Sequence, residues 1–107
     1  MIFDCLDIDS VTSFDWDAGN IDKNERKHGL KWNEIEEIFF NEPLIIVEDL
    51  RHSEDECRCF ALGRTDEDRA VYVAFTLRRK MIRVILARPM NRKERRVYEE
   101  VKNDSAI

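Results

Sequence analysis

The chain has 107 residues, of which 43% are hydrophobic and 38% charged, so it holds about one domain's worth of core-forming material beneath an ionic surface. A two-domain enzyme with an interdomain cleft and wholesale disorder are both excluded. The formal net charge of −5 argues against a nucleic-acid partner, since phosphate is gripped mainly by Lys and Arg, but the charge is unevenly placed.

Residues 1–17 carry five acids (Asp4, Asp7, Asp9, Asp15, Asp17) and no base, so the rest of the chain is neutral. This start lacks the basic and then apolar pattern of a secretory leader, and no apolar run is long enough for a membrane span. We read residues 1–13 as an acidic extension and 14–107 as a single domain. Cys5, Cys57 and Cys59 form an odd set without a second ligand cluster, which is read as reduced thiols in a cytoplasmic protein with no metal site and no cofactor.

From Asp17, a good N-cap, the chain is polar with Ile21 as its one firm apolar residue until Gly29, which suits the left-handed position past a helix end. A short exposed helix is expected there. A second helix follows from Ile35, Ile38 and Phe39 at i, i+3, i+4 spacing, with Glu34, Glu36 and Glu37 where the macrodipole favours acids. Pro43 ends it.

Residues 44–47, 58–62, 70–76 and 82–87 are short runs rich in Ile, Val, Phe and Tyr between polar turns, which predicts four strands. Their later connections are too short for a parallel crossover, so the last three strands form an antiparallel meander. Asn91 and Glu94 then match a capping box before the apolar stripe of Val97, Tyr98 and Val101. That last helix opens with Arg92, Lys93, Arg95 and Arg96, each costing roughly 0.3–1 kcal/mol if placed in the first turn. A purely structural helix gains nothing from such a start.

Between Arg78 and Arg96 stand seven arginines and two lysines against one acid, Glu94. A solvated charged surface explains many such runs, but the arginine fork also matches phosphate oxygens. There is no Gly-rich phosphate loop, no His-Glu-x-x-His and no Gly-x-Ser-x-Gly. Metal-free RNA cleavage requires none of these: a base activates the ribose 2′-hydroxyl, cations stabilise the phosphorane, and an acid protonates the leaving oxygen. His28 suits proton transfer at neutral pH, although a histidine in a last helical turn also gains from the dipole alone. His52 reads as a surface loop residue. Arg83, alternating with Ile82 and Val84, is expected beside Ile85 and Ala87 and must meet an acid or an anion; Glu56 is one candidate. Trp16 and Trp32 suit either base stacking or the core.

Phe14-x-Trp16-Asp17, Lys23-Asn24-x-x-Lys27-His28-Gly29, Arg51-His52-Ser53-Glu54-x-Glu56-x-Arg58, Ala61-Leu62-Gly63, Ile82-Arg83-Val84-Ile85-x-Ala87-Arg88 and Arg92-Lys93-Glu94-Arg95-Arg96-x-Tyr98-Glu99 together resemble the BrnT toxin family. The resemblance runs in unbroken order over about residues 14–100. It implies an α+β, RelE-like fold with two N-terminal helices packed on a four-stranded antiparallel sheet and a C-terminal helix. It also implies a cytoplasmic endoribonuclease toxin, neutralised by a BrnA antitoxin that carries a DNA-binding segment, in a heterotetramer with no membrane attachment. On this reading Arg51, Arg58, Arg83 and Arg88 grip phosphate, and Lys27 or His28, with Glu56, handles protons. Trp16, Lys23, Arg92, Lys93, Arg95 and Arg96 then line the RNA path. A catalytically inactive BrnT-like subunit that binds the antitoxin is the alternative. The chain departs from the family pattern at Asn20 (usually Lys), Glu25, Lys31 and Leu86; Asn20 and Glu25 are expected to weaken an RNA-facing surface.

Overall fold

The computed structural model describes residues 10–49 and 57–105. The elements run β1 (Ser13–Phe14), α1 (Ala18–His28), α2 (Trp32–Glu37), β2 (Ile45–Glu48), β3 (Arg58–Arg64), β4 (Ala70–Arg78), β5 (Met81–Pro89) and α3 (Arg92–Ser105). The expected antiparallel strands β2 to β5 are present, but the sheet has five strands in the order β1-β5-β4-β3-β2, and β1 is parallel to β5. The four-stranded antiparallel expectation is corrected to a five-stranded mixed sheet. The added strand has only two residues and is held by backbone bonds from Thr12 to the Lys80 carbonyl and from Asp15 to the Ile82 carbonyl, so it has no alternating pattern of its own.

The two ends of α1 follow from local chemistry. Asp17 accepts the Asn20 amide at 2.9 Å while the Asn20 side chain accepts the Asp17 amide at 2.8 Å, which satisfies donors left free at a helix start. Gly29 ends the helix at φ 66°, where a Cβ is penalised. The helix is not, however, laid on the sheet by an apolar stripe. It closes the edge of β5 beyond β1: Asn20 Nδ2 donates to the Val84 carbonyl, Lys23 Nζ to the Ile85 carbonyl, and Asn24 Oδ1 accepts the Ala87 amide at 2.9 Å. The expectation of two helices packed alike on the sheet is corrected by this edge docking.

The main core lies between the sheet and α2. Leu30, Ile35 and Ile38 meet Cys59, Ala61, Val71, Val73, Phe75, Ile82, Val84 and Ala87. Gly63 permits this approach, because a Cβ there would lie 3.0 Å from the Ile38 Cβ and 3.2 Å from its carbonyl oxygen. On the opposite face α3 crosses one end of the sheet. Tyr98 joins Leu62 and Met90 in a second buried cluster, and its hydroxyl donates to the Pro43 carbonyl at 2.7 Å. Cys59 is a buried free thiol whose burial pushes its pKa up to about 11. Cys57 is disulfide-bonded, which corrects the expectation of three reduced thiols.

One irregularity decides which side chains share a face. Ala74 pairs with Leu86 but Phe75 pairs with Val84, so Ile85 is an extra residue in β5. Such a bulge reverses the alternation beyond it. Ala87 therefore joins Ile82 and Val84 in the core, rather than lying beside Arg83 as simple alternation predicts.

Candidate functional site

Strand registers define three rows across the face of the sheet turned away from α2. The first is Arg58–Thr76–Arg83, the second Val47–Phe60–Ala74–Leu86, and the third Ile45–Leu62–Tyr72–Arg88. Strands lie about 4.8 Å apart, which places the Arg58 and Arg83 Cα atoms roughly 10 Å from each other. Without the bulge at Ile85, Arg88 would project from the other face. The bulge thus brings Arg58, Arg83 and Arg88 to a common surface, and α3 packs against this surface at its third row.

Both β5 arginines are held by carboxylates. Arg83, with 26% of its side chain exposed, reaches Asp15 at 3.5 Å and Asp17 at 2.5 Å. Among the described residues its partners are the two acids preceding α1, which answer the sequence's demand for an acid; the candidate Glu56 lies outside the described residues. The hydrogen bond from Arg83 is the first cause holding the Asp17 carboxyl below its ordinary range. Arg88 forks to Glu94 with contacts of 2.9 and 3.0 Å, and its guanidinium lies 4.0 Å from the centre of the Tyr72 ring.

Glu94 also closes the expected cap of α3: its carboxylate accepts the Asn91 amide at 2.9 Å, and Asn91 Oδ1 accepts the Glu94 amide at 2.8 Å. Burial acts to raise the Glu94 pKa. The hydrogen bonds from Arg88 and Asn91 and the Arg88 charge outweigh it, leaving the carboxyl below its usual 4.5. A depressed acid contributes stability above its unfolded pKa and loses it as pH falls through the folded value. The melting temperature should therefore decline below about pH 4.5, and the advantage of the parent chain over Glu94→Gln should shrink across the same interval. Thermal melts between pH 7 and pH 3 check this; a constant gap between the two proteins would contradict it.

The remaining candidates occupy distinct places. Lys23 and Lys27 are exposed one turn apart on α1, along the β5 edge. His28 is half-buried in the last turn. Lys27 and His28 thus stand on the helix that docks along β5, the strand that carries Arg83 and Arg88. Arg51, His52, Glu54 and Glu56 lie outside the described residues. Arg92, Lys93, Arg95 and Arg96 are all exposed, and Arg95 also donates to the Met90 carbonyl at 3.3 Å. The Glu94–Arg88 fork sets this basic first turn of α3 next to the arginine face.

Trp16 packs against the core and donates to Glu36 at 2.8 Å, the packing role weighed for it from the sequence. Asn20 is 8% exposed and serves as cap and edge bond at once. The expectation that it belongs to an RNA-facing surface is corrected on that ground. Two aromatic residues on the arginine face were missed by the sequence reading: Phe60 and Tyr72 stack at 5.6 Å with 26° between their planes. Their alternation with the core residues Cys59, Ala61, Val71 and Val73 was the available signal.

Among the described residues no group of three or more His, Cys, Asp or Glu is placed to hold a metal ion, and no helix is long and apolar enough to cross a membrane. Residues 16–94 match the family described as "Ribonuclease toxin, BrnT, of type II toxin-antitoxin system". A comparison with curated proteins finds no match.

Proposed function

The chain belongs to the BrnT family of ribonuclease toxins of type II toxin-antitoxin systems, and from that premise we propose that it is a metal-independent endoribonuclease cleaving single-stranded RNA across the arginine face. The observation that carries this reading is the bulge at Ile85, which sets Arg83 and Arg88 on one surface with Arg58. A guanidinium that holds a carboxylate through two N–H groups presents the same fork to a phosphate. Asp15, Asp17 and Glu94 therefore stand where phosphate oxygens would, and substrate binding is an exchange of one anion for another.

In the reaction the ribose 2′-hydroxyl attacks the adjacent phosphorus and the 5′-oxygen leaves. Arg58, Arg83 and Arg88 stabilise the charge that builds on the non-bridging oxygens. Lys27 or His28, with Glu56, is assigned to moving the two protons. Lys23 and the exposed cations of α3 extend the surface for the flanking phosphates. We assign neutralisation to a BrnA-like antitoxin with a DNA-binding segment, covering this face within a heterotetramer in the cytoplasm. The pairing of both β5 arginines with carboxylates favours a second reading, a subunit that binds the antitoxin without cleaving.

Purified protein incubated with labelled single-stranded RNA in excess chelator separates the two. Cleavage yielding 2′,3′-cyclic phosphate ends is expected. Cleavage that requires added divalent ions overturns the mechanism, and none under either condition favours the binding subunit.

A further inference from the structure

The proposed function assigns the arginines of this face but leaves its middle row, whose Phe60, Ala74 and Leu86 are partly exposed, unexplained. There Ala74 lies directly between Phe60 on β3 and Leu86 on β5. A methyl group between two large side chains makes a low floor with apolar walls. At the third-row side the floor is bordered by Tyr72, which stacks on Phe60 and carries the Arg88 guanidinium on its ring. At the first-row side stand Arg58 and Arg83.

The ring geometry here differs from that of the core. Phe39 meets Phe14 and Phe75 edge to face, at 63° and 87°, one of the two preferred geometries for a ring pair. Phe60 and Tyr72 instead lie within 26° of parallel on the face away from that core, an arrangement that presents ring faces in series. Beyond Phe60 the row continues to Val47, which is 43% exposed. Aromatic rings on a sheet surface flanked by cations are the means by which single-stranded nucleic acid is held without reading its sequence, each base stacking while the backbone follows the positive charge.

We propose that the Ala74 floor, walled by Phe60 and Leu86, receives one unpaired nucleobase stacked on Phe60, with the attached phosphate directed to Arg58 and Arg83. This inference rests on the reading of the arginine face as the RNA site and adds the subsite that requires the substrate to be single-stranded. A base held in a duplex cannot enter, because its faces are already covered by its neighbours.

The test is fluorescence anisotropy with a labelled single-stranded 2′-O-methyl oligoribonucleotide, which has no 2′-hydroxyl to attack, and with a second oligonucleotide of the same length whose central positions are abasic. Phe60→Leu should weaken binding of the first by about 5- to 150-fold and leave binding of the second unchanged. Ala74→Leu, which fills the floor while Phe60 remains, should weaken the first to a similar extent; Phe60→Trp should bind at least as tightly as the parent chain. Melting curves accompany each variant, and Ala74→Leu decides the matter if Phe60→Leu fails to fold. Parent and Ala74→Leu binding the first oligonucleotide equally would overturn the subsite and leave the arginine face intact. A parent chain that binds neither oligonucleotide would overturn the RNA reading itself. Loss of antitoxin binding in the variants with unchanged RNA affinity would assign the floor to a protein partner and overturn the inference.

Discussion

Arg83→Ala should lower RNA cleavage by about 10²- to 10³-fold, the range seen when one donor to a developing oxyanion is removed, while shifting the melting temperature by only a few degrees. The second half of that statement follows from the surroundings. Arg83 and its partners Asp15 and Asp17 have side chains 26%, 29% and 49% exposed, and pairs in such wet positions contribute modestly because water and salt screen them. Removing the arginine leaves two carboxylates that water solvates. Arg83→Lys should recover part of the activity, since it keeps the charge but loses the fork. Asp17→Asn supplies the converse: asparagine caps a helix as well as aspartate, so the variant keeps the start of α1 while removing one of the two carboxylate charges beside Arg83, and it should bind RNA at least as tightly as the parent. A collapsed melting temperature in Arg83→Ala would show that Arg83 serves folding, and full activity with an intact fold would remove it from the site.

The features legible in the sequence are those set by neighbouring residues. Asp17 and Gly29 bound α1, Asn91 and Glu94 cap α3, and the short turns of the meander force antiparallel pairing; each depends on contacts within a few positions. The features that escaped depend on distant partners or on a change of phase. β1 exists because Lys80 and Ile82 offer carbonyls to residues 12–15, which no local pattern encodes. The bulge is hidden because Ile85 and Leu86 are both apolar, so either phase of alternation reads equally well through them. That concealment matters for the site, since the bulge decides whether Arg88 shares a face with Arg83. Arg83's need for an anion was legible from its apolar strand, but the acids that answer it precede α1 and were read as part of an acidic start rather than as partners of β5.

Asn24→Ala should be the most destabilising substitution on α1, by about 2–4 kcal/mol, although polarity alone marks this helix as exposed. Asn24 is 0% exposed, donates to the Asn20 carbonyl at 2.9 Å and accepts the Ala87 amide at 2.9 Å. An amide side chain is suited to this position because it carries a donor and an acceptor on one short stem: the donor is met by the Asn20 carbonyl within α1 and the acceptor by the Ala87 amide on the edge of β5. Truncation removes two bonds and leaves the Ala87 N–H buried without its acceptor, a penalty of about 1–3 kcal/mol beyond the roughly 0.5–1.5 kcal/mol lost with a bond. For a chain of this size the melting temperature should fall on the order of 10–25 °C. Glu25→Ala, one position along on the exposed side of the same helix, should change stability by less than about 0.5 kcal/mol. Because α1 also carries Lys23, Lys27 and His28 along the β5 edge, Asn24→Ala should reduce cleavage at temperatures well below its melting point. Hydrogen exchange at the Ala87 amide reads that loosening directly: faster exchange is expected in Asn24→Ala and parental exchange in Glu25→Ala. Unchanged protection of Ala87 in Asn24→Ala would mean that the asparagine pair does not hold the helix to the sheet.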